Sequence, residues 1–154
     1  MKHCLALALA LCALARAGEE KPIKTGPWDL DELRKAPKIE WLRQEGNIAQ
    51  IMYTSVALDG NETQVFAYFG VPKERKERVP GMVLVHGGGG KAFREWVDRW
   101  TRHGFVAIAM DLSGRDASGA RHGGAMPDQG HDQKFFAIEN GVTSAWPYHA
   151  VAAV

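Results

Sequence analysis

The chain has 154 residues, 45% hydrophobic and 24% charged, a balance that fits one globular domain and excludes a disordered chain. Its 19 Lys and Arg against 18 Asp and Glu leave a formal charge of +1, so nothing electrostatic points to nucleic acid or an anionic membrane as partner. Both cysteines, Cys4 and Cys12, fall in an N-terminal apolar run, so the chain beyond Ala17 has no disulfide framework, cysteine nucleophile or thiolate metal site.

Residues 1–17 read as a secretory signal. Lys2 and His3 form a basic start, Cys4 to Ala15 is unbroken apolar sequence, and Ala15-Arg16-Ala17 is a small-x-small cleavage pattern. As a helix this run rises only about 18 Å, too little for a hydrocarbon core of roughly 30 Å. The expected destination is the outside of the cell or the periplasm. Residues 18–38 form a polar lead-in with a short helix start at Asp29, which has Glu32 three residues on and Pro37 beyond.

The main domain is expected over residues 39–154. Ile48 to Leu58 and Thr63 to Val71 are two β-rich runs, and Asp59-Gly60 between them is a hairpin signal. In the second run Val65, Ala67 and Phe69 share a face by the strand period of two. Lys73 to Arg78 is a solvated charge run. Met82 to Val85 and Phe105 to Met110 are short apolar runs of the kind found in parallel sheets covered by helices. Between them, Lys91 to His103 carries Phe93, Trp96, Val97 and Trp100 on one helical stripe, with Glu95–Arg99 and Asp98–Arg102 as i,i+4 pairs. Gly104 stands where a helix ends. The tryptophans read as core and not as a sugar-stacking platform. A long polar, glycine-bearing stretch from Leu112 to Lys134 leaves the second parallel strand, at the edge where open α/β sheets bind ligands. A last helix is expected near Ser144, with Pro147 in its first turn.

The informative motif is His86-Gly87-Gly88-Gly89-Gly90, set between a strand and a helix. Such glycines let backbone N–H groups approach a ligand. Phosphate binding is one use, but Lys91 is followed by Ala92, against the phosphate-loop pattern, and the dinucleotide spacing also fails, although Asp111 ends the next strand. The other use is an oxyanion hole for acyl transfer.

The run from Phe66-Ala67-Tyr68 through Met82-Val83-Leu84-Val85-His86-Gly87-Gly88-Gly89-Gly90 to Val106-Ala107-Ile108-Ala109-Met110-Asp111-Leu112 resembles secreted bacterial α/β hydrolases related to acetyl xylan esterases and dienelactone hydrolases. Trp146 to Val154 resembles the helix before the nucleophile strand of that group. The resemblance covers roughly residues 39–154. It implies the N-terminal portion of an α/β-hydrolase fold, an antiparallel hairpin leading into a parallel sheet with flanking helices. It also implies ester hydrolysis by a Ser-His-Asp triad without a cofactor, on a small ester or acylated carbohydrate. The oxyanion donors it implies are the backbone N–H groups of Gly88 and Gly89. Side chains added at those two positions are expected to meet a positive φ, and Gly90→Ala is expected to be milder.

No serine stands in Gly-x-Ser-x-Gly: Asp111 precedes Ser113 by two, Asp116 precedes Ser118, and Val142 precedes Ser144. The nucleophile, acid and base are therefore expected beyond Val154, leaving this chain inactive alone and poorly folded. His86 reads as a brace for the glycine loop, His149 as a core or boundary residue, and Asp111 as a strand end bonding loop amides. His122, Asp128, His131 and Asp132 carry metal-ligating groups, but their spacing matches no common ligand pattern and no metal is expected. The alternatives are a prolyl-oligopeptidase-type peptidase and a non-catalytic binding module with a related sheet.

Overall fold

The computed structural model describes residues 26–74, 78–136 and 141–154; the expected secretory signal lies outside them. Helix α1 (Leu30–Leu33) is capped by Asp29, whose carboxylate accepts from the N–H groups of Asp31 and Glu32. Strands β1 (Ile39–Glu45), β2 (Ile48–Leu58) and β3 (Asn61–Gly70) form an antiparallel meander. Strand β4 (Gly81–Leu84), helix α2 (Arg94–Arg102) and strand β5 (Val106–Met110) come next. A short helix α3 (His131–Phe135), a 3-10 turn (Val142–Ser144) and helix α4 (Trp146–Ala152) complete the described order.

The five strands make one mixed sheet in the order β1-β2-β3-β5-β4, with β5 antiparallel to β3 and parallel to β4. The hairpin turns at the expected dipeptide: Leu58 pairs with Asn61, and Asp59 and Gly60 both take positive φ, at 50° and 79°. Strand β1 has no counterpart among the strands expected from sequence. It lies at the sheet's edge with nearly every residue exposed, so its side chains carry no burial alternation.

Period-two geometry sorts the strands into two faces. On one, Ala49, Ile51, Tyr53, Ala67 and Met110 cluster, with Val65, Phe69, Ile108 and Leu112 packed against them. Val65, Ala67 and Phe69 thus share a face as expected. On the other, Ile48, Ala107 and Ala109 meet Val97 of α2, joined by Tyr68, Met82, Leu84 and Trp100. Val97 is fully buried, which contributes roughly 1.5–3 kcal/mol. Helix α2 comes this close because position 70 is glycine: a Cβ there would stand 2.5 Å from Val97 Cγ1 and 2.7 Å from Thr101 Cγ2.

Helix α2 begins at Arg94, three residues later than the stripe predicts: Lys91 to Phe93 are not helical and lead in from the glycine loop, with Phe93 extended. Its end matches expectation. Gly104 N–H bonds Thr101 O and Phe105 N–H bonds Trp100 O, while the Trp100 and Phe105 rings meet edge to face at 5.0 Å. Asp98 and Arg102 pair at 2.5 Å. Helix α4 begins close to its expected start, with Pro147 in the first turn. It is tied to the sheet by Tyr53 Oη, which donates to Ala153 O at 2.5 Å, and to the lead-in by Trp28, stacked on Tyr148 at 5.8 Å.

Candidate functional site

Strand β4 delivers His86 to the C-terminal end of the parallel pair. The ring is buried, and Leu112 N–H, just past β5, donates to its Nε2 at 2.9 Å. That nitrogen is therefore a bare acceptor, so the proton sits on Nδ1, which donates to Gly87 O at 2.6 Å. Gly90 N–H bonds the same carbonyl at 2.8 Å, closing a turn over residues 87–90. With Gly87 O held inward by two donors, and no cis peptide among the described residues, the trans peptide turns Gly88 N–H to the opposite side. Neither Gly88 N–H nor Gly89 N–H has a partner among the described residues, and both glycines are exposed. His86 thus braces the loop, as its position suggests.

Asp111 closes the same strand end from the other side. It is 3% exposed, and its Oδ1 accepts from Ser113 N–H, Arg115 N–H and the Ser113 hydroxyl at 2.8, 3.0 and 2.8 Å. Oδ2 accepts from Ala92 N–H at 3.4 Å, so one carboxylate joins the exit of the glycine loop to the start of the long loop. This is the amide-binding role expected of it.

Two expectations about the glycines are corrected. No residue from Gly87 to Gly90 has a left-handed φ, so an added side chain meets no backbone penalty of that kind. A Cβ at Gly89 would meet open space, and one at Gly88 would find only Phe135 Cζ, at 3.9 Å. Position 90 is the intolerant one. A Cβ there would stand 2.8 Å from His86 Cβ and 2.9 Å from its Nδ1.

The loop after β5 is more ordered than its composition suggests. Arg115 and Arg121 form an isolated bridge, and the Arg121 guanidinium donates to the carbonyls of Ser113 (2.7 Å) and Met126. Asp116 accepts from the Ser118 N–H and hydroxyl. The four residues with metal-ligating groups do not converge. Asp128 is paired with Arg121 and Lys134, and His131 touches only Asp132 among them. His122 turns both ring nitrogens inward, and burial lowers its pKa against the opposing pull of Asp111 and Asp116. Among the described residues no three His, Cys, Asp or Glu side chains gather in metal-binding geometry. His149 is buried on α4, with Nε2 bonded to Thr143 O at 2.9 Å.

Motif patterns give no hint of an aromatic wall beside the loop. Phe135, the neighbour of Gly88, packs edge-on against Trp146 at 5.7 Å, and Trp146 Nε1–H donates to Leu112 O at 2.7 Å. The Phe135-Phe136 pair, closing a stretch otherwise almost free of apolar residues, is the signal that could have found it.

The sequence matches the family model for acetyl xylan esterase (AXE1) over residues 26–143. The chain belongs to the acetyl xylan esterase family. The solved acetyl xylan esterase from Paenibacillus sp. R4 shares the fold, with a TM-score of 0.51 and 18% identity over 79% of this chain. The chain spans 40% of that enzyme's length. No curated protein matches the sequence. Among the described residues no helix is long and apolar enough to cross a membrane.

Proposed function

We propose that this chain supplies the oxyanion-hole half of a serine-type ester hydrolase acting on acylated carbohydrate. The observation that carries this reading is the pinned Gly87 carbonyl, which leaves Gly88 N–H turned outward at the C-terminal end of a parallel strand. Gly88 and Gly89 would donate to the carbonyl oxygen as it becomes an oxyanion, stabilising charge that develops only near the transition state. Because the donors are backbone groups held by His86, no side-chain reorganisation is needed when that charge appears. No serine among the 154 residues has the Gly-x-Ser-x-Gly context, so the nucleophile, acid and base come from outside them. Residues 1–17 would direct the protein out of the cytoplasm.

The test has two parts. The chain itself should not hydrolyse p-nitrophenyl acetate or react with a fluorophosphonate; labelling of Ser113, Ser118 or Ser144 would sink the division of the site. In an enzyme joining this chain to its nucleophile, Gly89→Val, whose branched side chain would stand in the space the acyl oxygen needs at the Gly89 N–H, should lower kcat by about 100- to 1,000-fold with a smaller change in KM. A Cβ at Gly89 meets open space, so a wild-type circular dichroism spectrum and melting temperature should accompany that loss. An unchanged kcat would remove the assignment.

A further inference from the structure

We infer that the exposed rings of Phe135 and Phe136 form a stacking subsite for the sugar ring that bears the ester, an inference that rests on the ester-site reading of the glycine loop. Phe135 Cζ lies 3.9 Å from where a Cβ on Gly88 would stand, which puts this ring beside the glycine loop. Phe135 is 48% exposed and Phe136 77%, and the His131 ring lies against both, at 5.4 and 5.6 Å. Contiguous exposed apolar groups mark interaction sites, and these two rings stand together beside a polar loop.

The wall is held in place although its face is open. Trp146 backs Phe135 and is itself fixed by Leu112 O, by Gln129 Oε1 accepting from its N–H at 3.1 Å, and by Lys134 Nζ 5.6 Å from its ring centre. Ring position is thus set by the same strand end that holds His86, since Leu112 contributes its N–H to one and its carbonyl to the other.

An open, ordered aromatic face suits a pyranose. The axial C–H groups of the sugar give it an apolar face that covers a ring, while its hydroxyls remain in water. A long acyl chain would instead require an enclosed apolar pocket. The tryptophans of α2 do not serve this purpose: Trp100 packs on Phe105, and Trp96 stacks on Phe93 at 4.5 Å.

The experiment is an NMR titration, with methyl β-xyloside and its triacetate through the millimolar range, of an enzyme joining this chain to its nucleophile, that serine replaced by alanine so that the triacetate is not consumed. Both sugars should shift the ring signals of Phe135 and Phe136, and only the triacetate should shift the amides of Gly88 and Gly89. Phe135→Ala should weaken binding by about tenfold and Phe135→Tyr should restore it. Phe136→Ala, at an exposed site that cannot disturb the core, should weaken binding as well. Glycine amides that respond while the phenylalanine rings stay still would overturn the subsite and leave the ester site standing. Rings that respond without the glycine amides would overturn the ester-site reading, and with it the subsite's link to the ester, leaving only a sugar-binding surface. Silence in both, or binding indifferent to both alanine variants, would overturn the subsite.

Discussion

Gly90 faces the His86 ring at a distance that leaves no room for a methyl group, and that contact makes it the most sensitive glycine of the loop. Gly90→Ala must displace a ring bonded at both nitrogens, at a cost of about 1–3 kcal/mol. It should lower the melting temperature measurably, whereas Gly89→Ala should leave it within error. Two other histidines contribute to acid behaviour. Burial lowers the pKa of His122 and of His149, so the folded state prefers both neutral. Between the depressed folded values and the unfolded value near 6.5, the unfolded chain binds more protons. Their contribution is therefore complete above about pH 6.5 and is lost as pH falls through the folded values. Thermal melts should show stability declining below pH 6.5, and a His122→Gln, His149→Gln double variant should flatten the decline. A wild-type melting temperature unchanged down to pH 5 would contradict this. At this scale the sequence is legible in kind but not in contact. His86 as a brace and Asp111 as an amide acceptor follow from their places at strand ends. The intolerance of position 90 depends on a side chain folded back over a turn, which residue spacing does not encode.

The strand–helix–strand unit shows why elements are easier to read than their partners. Alternating apolar runs, the Asp59-Gly60 turn and the stripe containing Val97 are local patterns, each recovered within a few residues, although Trp96, expected in the core, is exposed because only the Val97 side of α2 meets the sheet. Strand β1 escapes sequence reading because an exposed edge strand is held by backbone bonds and carries no burial pattern. The loop after β5 has the composition of a solvated stretch, yet its order comes from Arg121 reaching backbone carbonyls, a contact invisible in composition. Close packing of α2 on β3 gives a direct test. Gly70→Ala places a methyl against Val97 and Thr101 and should cost about 1–3 kcal/mol in denaturant unfolding. Shaving the helix side with Val97→Ala in the same chain should recover part of that loss. Additive destabilisation would mean that the two positions do not share one contact.

For the whole molecule, the family match and the five-stranded sheet agree on an esterase-type scaffold whose two faces are unequally covered. Helix α2 shields one face, while on the other Val83 of β4 and Val85 just after it remain about half exposed, at the terminal strand of the described sheet. An open apolar edge of this kind favours association between copies. Val83→Lys should raise the monomer fraction in light scattering without changing the circular dichroism spectrum. If residues 1–17 act as a secretory signal, exported protein should begin at Gly18, and retention of Met1 would refute that reading. The edge of β4 also sets a tolerance. A strand added there would lie about 4.8 Å away and advance about 3.3 Å per residue. In parallel register its C-terminal end would arrive beside the turn at Gly87 to Gly90. A slip of one residue would carry each side chain to the opposite face, so an attacking oxygen would be presented to the wrong side of the sheet. The accuracy of such an active site would then be a matter of indexing, fixed by which pair of backbone amides finds which pair of carbonyls along a strand of four residues.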